Sequence, residues 1–115
     1  MSKYKIFKNK VTKYHPCIEV KITIDGRWEN IEITSSPTQN NKYSKFDVNP
    51  NPNWAGKSAW FRRYIRKDPI RAKGKELKNY KIIESDEIKI NAFIDANKKN
   101  KSSRKKKSWK QRKHG

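Results

Sequence analysis

Ile18, Val20, Ile22 and Ile24 alternate with Glu19, Lys21 and Thr23, and the run closes on Asp25-Gly26 before a second extended run from Trp28 to Ile33. A period of two sends successive side chains to opposite faces, so the first run predicts a half-buried strand. Gly tolerates the positive φ of a tight hairpin turn, which makes Asp-Gly a strong turn signal. The second run puts Ile31 and Ile33 on one face and Asn30 and Glu32 on the other. A hairpin centred on Asp25-Gly26 commits this part of the chain to antiparallel sheet.

From Thr34 to Ser58 the chain is polar and rich in Asn, Pro and Ser. Only Tyr43 to Val48 reads as extended there, with Phe46 and Val48 as inward residues. Asn49-Pro50-Asn51-Pro52-Asn53 is expected to be loop, because each Pro lacks a donor and restricts the residue before it. Ser58 to Lys67 (SAWFRRYIRK) predicts one continuous strand ended by Asp68-Pro69. Ala59, Phe61, Arg63 and Ile65 would share one face, and Trp60, Arg62, Tyr64 and Arg66 the other. A further short extended piece is expected around Tyr80 to Ile83. Ser85 then looks like a helix cap, with Asp86 and Glu87 at the positive end of the dipole. Ile90, Phe93 and Ile94 form the apolar stripe of that helix. Strands first and helix last predict a mainly β domain over residues 1–97, a small curved antiparallel sheet or barrel with one C-terminal helix.

Charge decides what such a domain is for. Thirty Lys and Arg face eleven Asp and Glu, a net +19, and 36% of the 115 residues are charged against 32% hydrophobic. Residues 98–115 hold ten of the cations (Lys98, Lys99, Lys101, Arg104, Lys105, Lys106, Lys107, Lys110, Arg112 and Lys113) and no acid. Like charges at that density, with almost nothing apolar to bury, predict a disordered basic tail. Neutralising phosphates would release counterions and give tight, salt-sensitive attachment to nucleic acid, with Trp109 available to stack on an unpaired base. No apolar run approaches the roughly 20 residues of a membrane span, and the N-terminus lacks the apolar core of a signal peptide. These features predict a cytoplasmic protein without a membrane partner. A single Cys17 excludes an internal disulfide and a Cys-rich zinc site, and at the start of the alternating strand it reads as a buried structural thiol.

Within the folded part, Trp60, Arg62, Tyr64 and Arg66 at period two would set aromatic planes between guanidinium groups, an arrangement that binds single strands. The ordinary alternative is a second core layer of Trp and Tyr covered by Arg stems. No phosphate-loop or dinucleotide fingerprint occurs, and neither cofactor nor metal is expected from the scattered acids and two histidines. Metal-free RNA cleavage needs only a base, an acid and a cation around a 2′-hydroxyl nucleophile. His15 could shuttle the proton, Thr34 could hydrogen-bond the scissile phosphate, and Arg62 or Arg63 could neutralise its charge. Each also has a plain structural role, His15 leading into a strand and Thr34 forming a turn.

The order His15-Pro16, CIEVKI, IEITSS, a long loop, SAWFRRYIRKDPI and LKNYKIIESDEIKINAFI resembles the PemK/MazF-like family of ribonuclease toxins over residues 13–95. Thr34 matches the threonine of the family's Leu-Thr-Ser motif, with Ile33 in place of Leu. His15 stands where the family commonly has Arg before the Pro. The resemblance implies an SH3-like barrel, a homodimer that binds single-stranded RNA at its interface without metal, and an acidic antitoxin as partner. The extreme basicity and the tail instead suit a protein that stays on its nucleic acid. The leading expectation is therefore binding of single-stranded or structured RNA, in preference to DNA. The alternatives are a metal-independent endoribonuclease, and a structural component of a ribonucleoprotein or phage particle.

Overall fold

A computed structural model describes residues 3–114 of the chain, with side chains as far as residue 99. Seven strands and one helix follow one another: β1 (Ile6–Asn9), β2 (His15–Ile22), β3 (Arg27–Thr34), β4 (Tyr43–Lys45), β5 (Trp60–Arg62), β6 (Arg66–Pro69), β7 (Lys73–Glu76) and α1 (Glu84–His114). All pairings are antiparallel and run in the order β4-β5-β3-β2-β1-β7, with β6 also on β3. The protein is mainly β with one C-terminal helix, as its residue patterns predict. Among the described residues no helix is long and apolar enough to cross a membrane.

The hairpin forms where Asp25-Gly26 places it. Gly26 has φ +80°, its N–H donates to the Thr23 carbonyl, and the Thr23 N–H donates to the Arg27 carbonyl. The alternation survives only in part. Ile18 is fully buried opposite Ile31, but the register slips between Glu19 and Lys21, and Ile22 and Ile24 end up exposed. A bulge of this kind bends the strand and carries its tip away from the core.

The sheet is covered on both faces. Ile6, Ile18, Ile31, Ile33, Phe46 and Phe61 form the main core, closed by Ile90 and Ile94 from α1 with Phe93 against them. The other face holds Phe7, Cys17, Trp28 and Ala72, with the Phe7 and Trp28 rings edge-on at 6.2 Å. Beside that second layer, Asp68 accepts hydrogen bonds from Asn9 Nδ2 (3.0 Å) and Asn30 Nδ2 (2.9 Å) and an ion pair from Arg66 (3.1 Å). Burial is the largest influence on this carboxyl and works against ionisation. Arg66, Asn30 and Asn9 together outweigh it and hold Asp68 below its ordinary range.

Several sequence expectations give way to a different geometry. Ser58 to Lys67 is not one strand. Trp60 opposes Thr34 while Arg66 opposes Asn30, so seven residues of this segment span five of β3, and residues 63–65 loop out. Asp68-Pro69 does end a strand, but that strand is the separate β6 and not a continuation of β5. The segment from Tyr80 to Ile83 forms no strand, and the edge next to β1 is taken by β7. Val48 faces out, while Phe46 is buried as expected. Ser85 does not cap α1. Its hydroxyl donates to Asp47 (2.7 Å), and the buried Asp86 carboxylate instead accepts from the N–H groups of Asp47 (2.8 Å) and Val48 (3.2 Å). The acids at the helix start thus tie down the loop after β4. Lys98 and Lys99 belong to α1. The tail residues expected to meet phosphates beyond them, from Lys101 through Trp109 to Lys113, lie outside the described side chains.

Candidate nucleic-acid interface

Two concavities collect the residues singled out from sequence. The first, about 420 Å³, lies where β2 begins and β3 ends, and it brings His15 and Thr34 together. The chain reaches His15 through Lys13 and Tyr14, both left-handed (φ 56° and 64°). Non-Gly residues adopt that conformation at a cost, so the turn must be held from outside. Asn9 does this: its carbonyl accepts from Tyr14 N–H (2.8 Å) and its side-chain oxygen from Val11 N–H (2.9 Å). The result is a β1–β2 connection that leaves Tyr14 exposed at the cavity mouth.

The opposite wall comes from the Asn-Pro loop. Asn49 Nδ2 donates to the carbonyls of Trp54 (3.1 Å) and Lys57 (3.0 Å), and the Asn49 side-chain oxygen accepts from Asn51 N–H (3.0 Å). This closes the loop on itself and presents Trp54, half exposed, with the Lys57 ammonium 5.2 Å from its ring centre. Tyr80, Lys8, Ser35 and Ser36 complete a lining that contains no acidic side chain. Thr34 Oγ1 accepts from Ser36 N–H (3.1 Å), which fixes its oxygen at the strand exit. The cavity therefore offers an imidazole, three aliphatic hydroxyls, an ammonium, aromatic faces and the phenol groups of its tyrosines, a set able to stack a base and hydrogen-bond a phosphate. Sequence reasoning found His15 and Thr34 and missed Tyr14, Trp54 and Tyr80. Their shared feature, an isolated ring beside turn-forming residues, has no periodicity to reveal it.

The second concavity, about 890 Å³, takes Arg62, Arg63 and Tyr64, together with Lys42, Lys67 and the Phe93, Ala96 and Asn97 flank of α1. The four proposed catalytic residues are thus divided, His15 and Thr34 in one hollow and Arg62 and Arg63 in the other. The single face of Trp60, Arg62, Tyr64 and Arg66 does not form either. The loop-out at 63–65 separates its two halves, and Arg66 is engaged by Asp68 beside the second core layer. Trp60 is half-buried, with Lys45 Nζ 6.0 Å from its ring centre.

Cys17 is fully buried, and burial, followed by the nearby Glu32 charge, pushes its thiol up to about 12. Its burial fits its place at the start of the alternating strand, and both burial and the raised thiol disfavour the reactive thiolate. Among the described residues no three His, Cys, Asp or Glu side chains converge on a point that could hold a metal ion. Comparison with protein-family models, with curated proteins and with solved structures finds no match.

Proposed function

We propose that the protein binds nucleic acid, and single-stranded RNA in particular. One observation carries this reading, the inequality of ion pairing. Residues 1–97 hold twenty Lys and Arg against eleven acids. Among the described residues only Arg66, Lys67, Lys73 and Lys89 stand in ion pairs. Three acids, Glu29, Asp68 and Asp86, are themselves buried, which removes negative charge from the surface. A surface so weighted repels itself and gains by meeting a polyanion. The hollow at His15 and Thr34 adds exposed rings, and flat rings favour unpaired bases over a closed duplex.

The test is anisotropy of a labelled single-stranded RNA over a salt series. Affinity should fall linearly on a log–log plot with a slope near −0.7 per phosphate neutralised. Absence of binding at low salt, or affinity indifferent to salt, would overturn the reading.

A second reading, a metal-independent PemK/MazF-like endoribonuclease, is favoured by one fact: His15 and Thr34 share a cavity. In it the 2′-oxygen attacks phosphorus as His15 takes its proton, the bond to the 5′-oxygen breaks, and the proton passes to that leaving oxygen. Thr34 and Lys8 would meet the phosphate oxygens. RNA incubated in EDTA should then yield 2′,3′-cyclic phosphate ends, and His15→Ala or Thr34→Ala should stop cutting while binding persists. Intact RNA after long incubation removes this reading and leaves the first in place.

A further inference from the structure

We infer that the hollow between the 63–65 loop-out and α1 is a seat for the phosphodiester backbone of single-stranded RNA, with Tyr64 as the ring that stacks a base. This rests on the RNA-binding reading above and names a site for it that no single strand face provides. Lys42 from the turn before β4, Arg62 and Arg63 from β5 and its end, and Lys67 from β6 converge on one trough that has no acid in its lining. Lys42, Arg62 and Arg63 have no ion pair among the described residues. Lys67 reaches Glu29 only at 3.8 Å, with its side chain 54% exposed. Four like charges gathered in a concavity repel one another, and a concave low-dielectric wall focuses their field on whatever enters.

The placement is built in. Two surplus residues between β5 and β6 force the chain outward, and Arg63 is secured there by its N–H to the Lys42 carbonyl (2.9 Å) and its guanidinium to the Asn41 carbonyl. Arg62 lies 5.3 Å from the Tyr64 ring centre, and Tyr64 is 55% exposed, so guanidinium and ring form a continuous platform. On the helical side, Phe93, Ala96 and Asn97 face the trough. At 100° per residue Asp95 points to the opposite side of α1, where its charge acts on Tyr4. The helix then continues into Lys98 and Lys99, both exposed. A trough of cations with one open ring suits a chain of phosphates carrying unpaired bases. A membrane would need protruding apolar side chains, and here Ile65 and Phe93 are packed against the core.

The experiment uses the full chain and a labelled oligouridylate of twelve residues. The triple variant Lys42→Gln/Arg62→Gln/Arg63→Gln is compared with Lys75→Gln/Lys78→Gln/Lys81→Gln, which removes equal charge outside the trough. The trough variant should lose at least about tenfold in affinity with a shallower salt slope, and the control no more than about threefold. Tyr64→Ala should lose about fivefold or more, and Tyr64→Phe should restore it. Unchanged circular dichroism and melting would show that all variants fold. Equal losses in both triple variants would overturn the site and leave only diffuse charge. So would displacement of the RNA by polyglutamate of equal charge without any effect of Tyr64→Ala, which marks a surface for acidic protein. Wild-type protein that binds no RNA fails at the earlier step, the functional reading itself.

Discussion

Asp68 shows why individual residues here respond differently to the same change in pH. Its carboxylate accepts from Asn9, Asn30 and Arg66 in the sheet's second layer, so its folded pKa lies below its unfolded value. An acid depressed in this way stabilises the fold above its unfolded pKa, near 4, because the unfolded chain binds the proton more readily. That stabilisation is lost as pH falls through the lower folded pKa. Urea midpoints should therefore be flat above about pH 5 and fall below about pH 4, and Asp68→Asn should flatten the acid limb. Asp68→Ala should cost about 3–5 kcal/mol at neutral pH, since it strands Arg66 and two buried amides together. Cys17 gives the complementary case. Its raised thiol should resist alkylation at pH 8 in the native state and react at once in urea, and rapid native labelling would contradict its burial.

Among the elements, legibility follows locality. The β2–β3 hairpin is readable because its two strands and turn are adjacent in sequence, and the α1 stripe because Ile90, Phe93 and Ile94 share one helical face. The break in SAWFRRYIRK is not readable, because it depends on how residues 60–69 pair with β3 some thirty residues earlier. For the same reason the expected Trp/Arg/Tyr face dissolves into a trough shared with Lys42 and α1. β7 gives no signal because Lys-Gly-Lys-Glu carries no alternation. Its place depends on Gly74, where a Cβ would sit 2.8 Å from the Lys8 carbonyl oxygen. Gly74→Ala should therefore lower stability by about 1–3 kcal/mol through a shift of β7 against β1. Gly56, with open space around it, should accept Ala within about 0.5 kcal/mol. Equal effects at the two glycines in thermal melts would mean that the β1–β7 approach is looser than described.

For the molecule as a whole, charge is legible from composition, but its arrangement on the domain surface is not. Residues 1–97 retain a +9 excess of their own, and residues 98–115 add ten more cations. The two sources predict different behaviour on RNA. On the proposed RNA-binding reading, contacts from the domain would be held in place by β5, β6 and the loop walls, so they should set the preference for unpaired bases. On the same reading, residues 98–115 would contribute ten cations and a single aromatic, Trp109, so they should set overall affinity and its salt dependence. The packed stripe of α1 ends at Ile94 among the buried residues, so a chain ending at residue 97 keeps its core closure. That shortened chain should melt within a few degrees of the full one and bind single-stranded RNA more weakly at every salt concentration. Its log–log slope should be shallower by about 0.7 for each phosphate that residues 98–115 would otherwise neutralise. Its ratio of single-stranded to duplex affinity should stay unchanged. A ratio that collapses on truncation would move the discriminating contacts out of the β domain and onto the basic end of α1.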